Sequence, residues 1–258
     1  MICIIYKLSN FGISCDASIL KKRIFSSSPE EVAYLGKLAL QGYRNAGIIA
    51  TLKHFPGYGE AVVDPHLGLP IVKKSRAELE NTELYPFKQL LEHTDVIMSA
   101  HILMPALDPN NCATLSSATL EDLLRKEWGY RGVVISDSLV MQGLLDACGD
   151  INEAAVRAIQ AGNDILIFGG RKLSQKDTAE QELNEFLQVY HYVISAVRSG
   201  KISQDHLDAS VQRILDLKKK YGLFEAADPG DAEITQFVNN ADHERLLNDI
   251  EQKLKIDF

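Results

Sequence analysis

Short apolar runs alternate along this chain with segments whose apolar residues recur every three or four positions. That alternation predicts repeated βα units and a parallel sheet, an α/β fold. Five runs are candidate strands: Asn10–Cys15, Gly47–Leu52, Asp95–Ser99, Gly132–Ser136 and Asp164–Phe168. The last four are brief, apolar and β-branched. Near-continuous runs of this kind suit strands covered on both faces.

The intervening helices carry local start and stop signals. Ser28-Pro29-Glu30-Glu31 reads as a capping box with proline at the first helical position. Val32, Leu35, Ala39 and Tyr43 follow at helical spacing, and Gly47 can end that helix. Ser75 to Glu78 is a second box, ahead of Leu79, Leu84, Phe87 and Leu91. Thr119–Trp128, closed by Gly129, and Asn152–Ala161, closed by Gly162, are two more helices. A last strong one is predicted over Gln204–Tyr221, with Gly222 as its stop. Beyond Phe224 the chain turns acidic and contains Pro229-Gly230, as a linker does; Leu246–Leu254 suits a short helix. The expected organisation is one domain over 1–224 and a linker and tail over 225–258.

Composition narrows the function classes. The chain has 258 residues, 46% hydrophobic and 24% charged, with a formal charge of -8. An acidic surface without basic runs argues against nucleic acid and anionic membrane as partners. Met1–Ile5 is apolar but far short of the about 20 residues a span requires, and no basic segment precedes it. Cys3, Cys15, Cys112 and Cys148 are widely spaced and form no C-x-x-C pair, so they read as reduced cysteines of a cytoplasmic chain.

Potentially reactive side chains follow the apolar runs directly. Lys53-His54 follows the second strand candidate, Ala100-His101 the third and Asp137 the fourth. Parallel α/β folds build active sites at the C-terminal ends of strands, so these three positions share one expected rim. By itself, Asp137 also suits a helix cap. Asp64-Pro65-His66 follows the loop Phe55-Pro56-Gly57-Tyr58-Gly59. An aspartate two residues before a histidine can fix its tautomer and support its charged form; it can equally cap a turn. His54, Asp64, His66 and His101 together also suggest a metal-dependent hydrolase, but no H-x-H or H-E-x-x-H spacing supports one.

Lys53-His54-Phe55-Pro56-Gly57 with Asp64-Pro65-His66 resembles the signature of the β-N-acetylhexosaminidases of glycoside hydrolase family 3. Met98-Ser99-Ala100-His101, Gly129 to Asp137, Ala161 to Asp164, and Val211 to Leu215 follow in the family's order. The resemblance covers roughly residues 9 to 224 and implies a (β/α)8 TIM-barrel type, of which this chain supplies about five of the eight βα units. It implies a retaining glycosidase that removes terminal N-acetylglucosamine in peptidoglycan recycling. Asp137 would be the nucleophile, His66 the acid/base oriented by Asp64, and Arg23, Lys53 and His54 would bind the sugar. No cofactor is implied. The expected partners are a carbohydrate, such as an N-acetylglucosamine-containing muropeptide, and a missing N-terminal barrel part. The chain departs from the family pattern at Tyr58 for a histidine, Pro65 for a serine and Ser138 for a second aspartate. The alternative expectation is an inactive fragment or one half of a split barrel.

Overall fold

The computed structural model describes residues 2–5, 25–59, 68–169, 179–225 and 241–254. Two compact units are present, Met1–Tyr221 and Gly222–Phe258.

The first unit is built on a sheet of five parallel strands in sequential order. They are β1 (Ile2–Ile5), β2 (Ala50–Phe55), β3 (Val96–Ser99), β4 (Val133–Ser138) and β5 (Ile165–Ile167). Sequential order matters: successive right-handed crossovers then put the helices that connect consecutive strands on the same face of the sheet. That is the winding of a barrel arc. A doubly wound sheet would reverse its order partway across. Among the described residues, β1 and β5 are the edges.

Helix α1 (Pro29–Asn45) starts at Ser28, whose hydroxyl accepts the Glu31 N–H. The reciprocal half of the predicted capping box is not formed. The Ser28 N–H is already held by the Ser26 hydroxyl at 3.1 Å, and Glu31 turns its carboxylate to that same hydroxyl. The second box, at Ser75 and Glu78, is complete. The continuous helix expected after it divides into α2 (Arg76–Asn81) and α3 (Leu84–Leu90). The break falls at Thr82-Glu83, where Glu83 turns inward to Lys74 at 2.7 Å. Ala118–Glu127 is a π-helix, its last bond running from the Trp128 N–H to the Leu123 carbonyl. After β4 come α4 (Gln142–Cys148) and α5 (Ile151–Ala161), the latter capped by Asp150 and ended by Gly162 at φ 113°. Then come α6 (Ala179–Arg198) and α7 (Gln204–Lys220). The second unit contains α8 (Ala241–Leu254).

Several elements depart from the sequence expectation. Asn10–Cys15 lies outside the described residues, and β1 is a run that had no predicted role. β2 begins and ends three residues later than expected. Its ladder carries it past the last aliphatic residue, because Lys53 pairs with both Ile5 and Met98. Helix α6 is absent from the predicted set. Its inward stripe, buried Val189 and Ala196 with half-buried Val193, is narrow, and exposed Leu183, Leu187, Tyr190 and Tyr192 blur the pattern.

Both faces of the sheet are covered, as the uninterrupted strands require. Leu52, Ile97 and Val134 pack with Leu40 of α1, Phe87 of α3 and Leu120 of the π-helix. Alternate residues Val96, Met98, Val133 and Ile135 face the other way, where Ile214 and Leu217 of α7 meet them. Full burial of each such side chain contributes roughly 1.5–3 kcal/mol.

The N-terminal ends of the strands are tied by charge. Asp164, with a fully buried side chain, accepts from the Val134 N–H at 2.8 Å, Arg125 at 2.8 Å and Arg213 at 2.7 Å. Arg125 also donates to the carbonyls of Gly132 and Gly162. Nearby, Asp95 accepts from Lys220 and from the Tyr221 hydroxyl at 2.8 Å. Burial, reinforced by that bond to Asp95, pushes the tyrosine up to about 12.

Asp164→Ala leaves two guanidinium groups without their buried counter-charge. It is expected to lower unfolding stability by about 3–5 kcal/mol, read from urea denaturation. A loss no larger than the ~1 kcal/mol of an exposed ion pair would contradict this account.

Candidate functional site

At the opposite, C-terminal ends of the strands, β2 and β4 bring two of the predicted side chains together. His54 Nε2 lies 3.7 Å from Asp137 Oδ2. His54 is largely buried, while the Asp137 side chain keeps 19% of its surface exposed. The two residues are contributed by non-adjacent strands, since β3 lies between β2 and β4. Both sit inside their strands, each at the last residue but one, where the sequence pattern puts them just past the strand end. Lys53, half-buried, is the residue before His54; the Lys53–His54 and Phe55–Pro56 peptides are both cis.

Asp137 has its two oxygens in different settings. Oδ1 accepts the N–H of Ser138 at 2.8 Å, and Oδ2 faces His54. Ser138 is fixed in turn. Its hydroxyl donates to the Gly169 carbonyl at 2.6 Å, and its own carbonyl lies 2.8 Å from His101 Nε2. On the His54 side, the buried ring of Tyr58 meets the imidazole edge-on, with centroids 5.2 Å apart.

His101 differs from the expectation that it stands at the open rim. It is fully buried, and both of its ring nitrogens are engaged, Nε2 with Ser138 and Nδ1 with the Thr114 hydroxyl at 2.9 Å. The network continues through Ser99, 3.2 Å from Thr114, to Asn163 Oδ1 at 2.8 Å. The Asn163 amide donates to the carbonyls of Thr114 and Ala158. Such a chain of satisfied buried groups joins the ends of β3 and β4 to the turn before β5. Buried polar groups that are fully paired rigidify what they join.

The loop after β2 rests on a carboxylate that sequence reading missed. Glu83, 1% exposed, lies beneath Gly57 and Gly59. A Cβ on Gly59 would fall 1.9 Å from Glu83 Oε1, and Gly59 has φ 45°. Only glycine combines that conformation with that approach. Asp64, His66 and Arg23 lie outside the described residues. The segment that resumes after the first two is anchored, because the Val72 N–H donates to the Leu103 carbonyl and the Leu103 N–H to the Pro70 carbonyl.

The connection that follows β3 is ordered by Asp108. It accepts from the N–H groups of Asn110 and Asn111, the Asn111 amide and the Ser116 hydroxyl. Burial opposes its charge, but these four bonds together hold its carboxyl below the usual aspartate value. Cys112 and Cys148 are free thiols, and burial pushes Cys112 up to about 12, so it stays protonated and unreactive. Among the described residues no group of three His, Cys, Asp or Glu side chains is placed to hold a metal, and no helix is long and apolar enough to cross a membrane.

Comparison with known proteins converges on one family. The model for "Glycosyl hydrolase family 3 N terminal domain" matches residues 10–217. The chain is 33% identical over 215 residues to a protein of Pseudoalteromonas piscicida named beta-hexosaminidase A, covering 78% of this chain and 35% of that one. It is 33% identical over 192 residues to the beta-hexosaminidase of Nitrosomonas eutropha, covering 74% and 52%. Among solved structures, a glycoside hydrolase family 3 beta-N-acetylglucosaminidase from Paenibacillus sp. str. FPU-7 superposes with a TM-score of 0.73 at 37% identity. That match covers 82% of this chain and 38% of the other. The chain thus spans about a third to a half of the length of these relatives.

Gly59→Ala is expected to cost at least about 1–2 kcal/mol from the left-handed backbone alone, and more from the collision with Glu83; thermal melting checks it, and an unchanged melting point would count against the described packing. Asp108 gives a pH signature. Its folded value lies below the unfolded one, so its contribution is full above about pH 3.9 and fades as pH falls through the folded value. The stability gap between wild type and Asp108→Ala should therefore shrink on acidification below that point, as read by denaturant melts at successive pH values.

Proposed function

The chain belongs to glycosyl hydrolase family 3, and we propose that it carries the chemistry of a retaining β-N-acetylhexosaminidase. The observation that supports this best is the meeting of Asp137 and His54 at the C-terminal ends of non-adjacent strands, with one Asp137 oxygen fixed and the other facing the site. A carboxylate so held presents Oδ2 to an anomeric carbon without first having to be ordered.

In the proposed reaction Asp137 Oδ2 attacks the anomeric carbon of a terminal N-acetylglucosamine. The bond to the leaving oxygen breaks as His66, oriented by Asp64, gives that oxygen its proton. A covalent glycosyl-enzyme results. His66 then takes a proton from water, which displaces Asp137 from the anomeric carbon, and configuration is retained overall. Retaining enzymes generally use two carboxyl groups for these roles. An imidazole with an unperturbed pKa near ~6.5 exchanges protons around neutrality without a strongly raised carboxyl. Lys53, His54 and Arg23 would hold the sugar hydroxyls. The relatives' names supply the substrate class, and the proposed setting is peptidoglycan recycling in the cytoplasm.

A second reading draws on the sheet itself. β1 and β5 each pair on one side only among the described residues, so an arc rather than a closed barrel surrounds Asp137. On this reading further βα units, associated with this chain, complete the sugar site.

Purified chain is expected to hydrolyse a chromogenic β-N-acetylglucosaminide, with Asp137→Ala lowering turnover by about 10⁴-fold or more. Intact mass spectrometry with a slow fluorinated substrate should find the sugar on the Asp137 peptide. Labelling elsewhere, or full activity in Asp137→Ala, would overturn the nucleophile assignment. Folded chain that turns over only when the additional βα units are supplied would favour the second reading; turnover by the chain alone would rule it out.

A further inference from the structure

We propose that His101 is a positioning residue for the nucleophile, acting through the backbone of Ser138. This rests on reading Asp137 as the nucleophile. His101 Nε2 lies 2.8 Å from the Ser138 carbonyl oxygen. A carbonyl only accepts, so Nε2 carries the proton and donates. The same residue's N–H donates to Asp137 Oδ1 at 2.8 Å, and its hydroxyl donates to Gly169. Ser138 is therefore fixed at its carbonyl, its amide and its side chain. Its amide selects which Asp137 oxygen stays free for attack.

The ring itself has no freedom to drift. It is fully buried, and Nδ1 meets Thr114, which Asn163 and Ser99 hold from the far side. Asn163 comes from the turn between α5 and β5, Ser99 from the end of β3 and Ser138 from the end of β4. The imidazole thus links the ends of β3 and β4 and the turn before β5 to one carboxylate. A burial this complete would be filled more cheaply by an aliphatic side chain, since every polar atom there must find a partner.

Chemistry separates this role from mere packing. In His101→Gln the amide nitrogen can occupy the place of Nε2, because it is the same number of bonds from Cβ. In His101→Met the length is kept and the donor is lost. Thr114→Val removes the hydroxyl facing Nδ1 at constant volume, and serves if the methionine variant does not fold.

The experiment combines NMR of labelled full-length chain with steady-state kinetics on the chromogenic N-acetylglucosaminide. The Ser138 amide and Asp137 carboxyl resonances should move in His101→Met and in Thr114→Val, and return towards wild type in His101→Gln. The value of kcat should fall about 10- to 100-fold in His101→Met with KM little changed, and recover largely in His101→Gln. Unmoved resonances in His101→Met and in Thr114→Val would overturn the proposal, as would a glutamine variant no better than methionine. If wild-type chain shows no turnover, that result bears on the proposed function, and the resonances alone decide the positioning role.

Discussion

Everything at the reactive end of this sheet depends on how firmly the strands are registered at the other end. Asp164 is the anchor. One fully buried carboxylate holds the backbone of β4, an arginine of the π-helix and an arginine of α7. Charges out of water are stabilising only when paired and hydrogen-bonded, so each partner constrains the others. Strand β4 leaves this clamp with its first residues fixed. It delivers Asp137 to the opposite end only a few residues later.

The sheet then carries that register across its width. Its strands are covered by helices on one face and by α7 residues on the other. Close packing of that kind resists sliding, because a shift of one residue would turn every side chain to the wrong face. At the C-terminal end a second polar assembly takes over. Asn163, from the turn before β5, joins Ser99, Thr114 and His101 in a chain that finishes on Ser138, beside Asp137. The apolar middle supplies stability, while the two polar ends supply direction.

The loop that bears the family signature is supported separately. Its glycines are needed because the backbone crosses directly over Glu83, and the same inward turn of Glu83 divides α2 from α3. A helix break and a glycine-rich loop, far apart in sequence, are therefore two sides of one contact. Whatever Asp64 and His66 do chemically, the described residues on either side of them are held, by Glu83 before and by Leu103 after.

Sequence alone determined what depends on neighbours within a few residues. The capping serines, the glycine stops, the apolar runs of β3, β4 and β5, and the place of Asp137 and His54 at strand ends were all readable. Each is set by local backbone preference or by periodicity. Tertiary structure alone decided what depends on partners remote in the chain. Asp164 and Arg213 are 49 residues apart, Ser99 and Asn163 are 64 apart, and His101 and Ser138 are 37 apart. No pattern in a linear sequence marks such pairs, since a buried polar residue is recognised only when its partner is known. The break at Glu83 and the missed helix α6 follow the same logic, because packing overrode or obscured the local signal. Asp137 was legible as a candidate; the contacts that fix which of its oxygens is free were not.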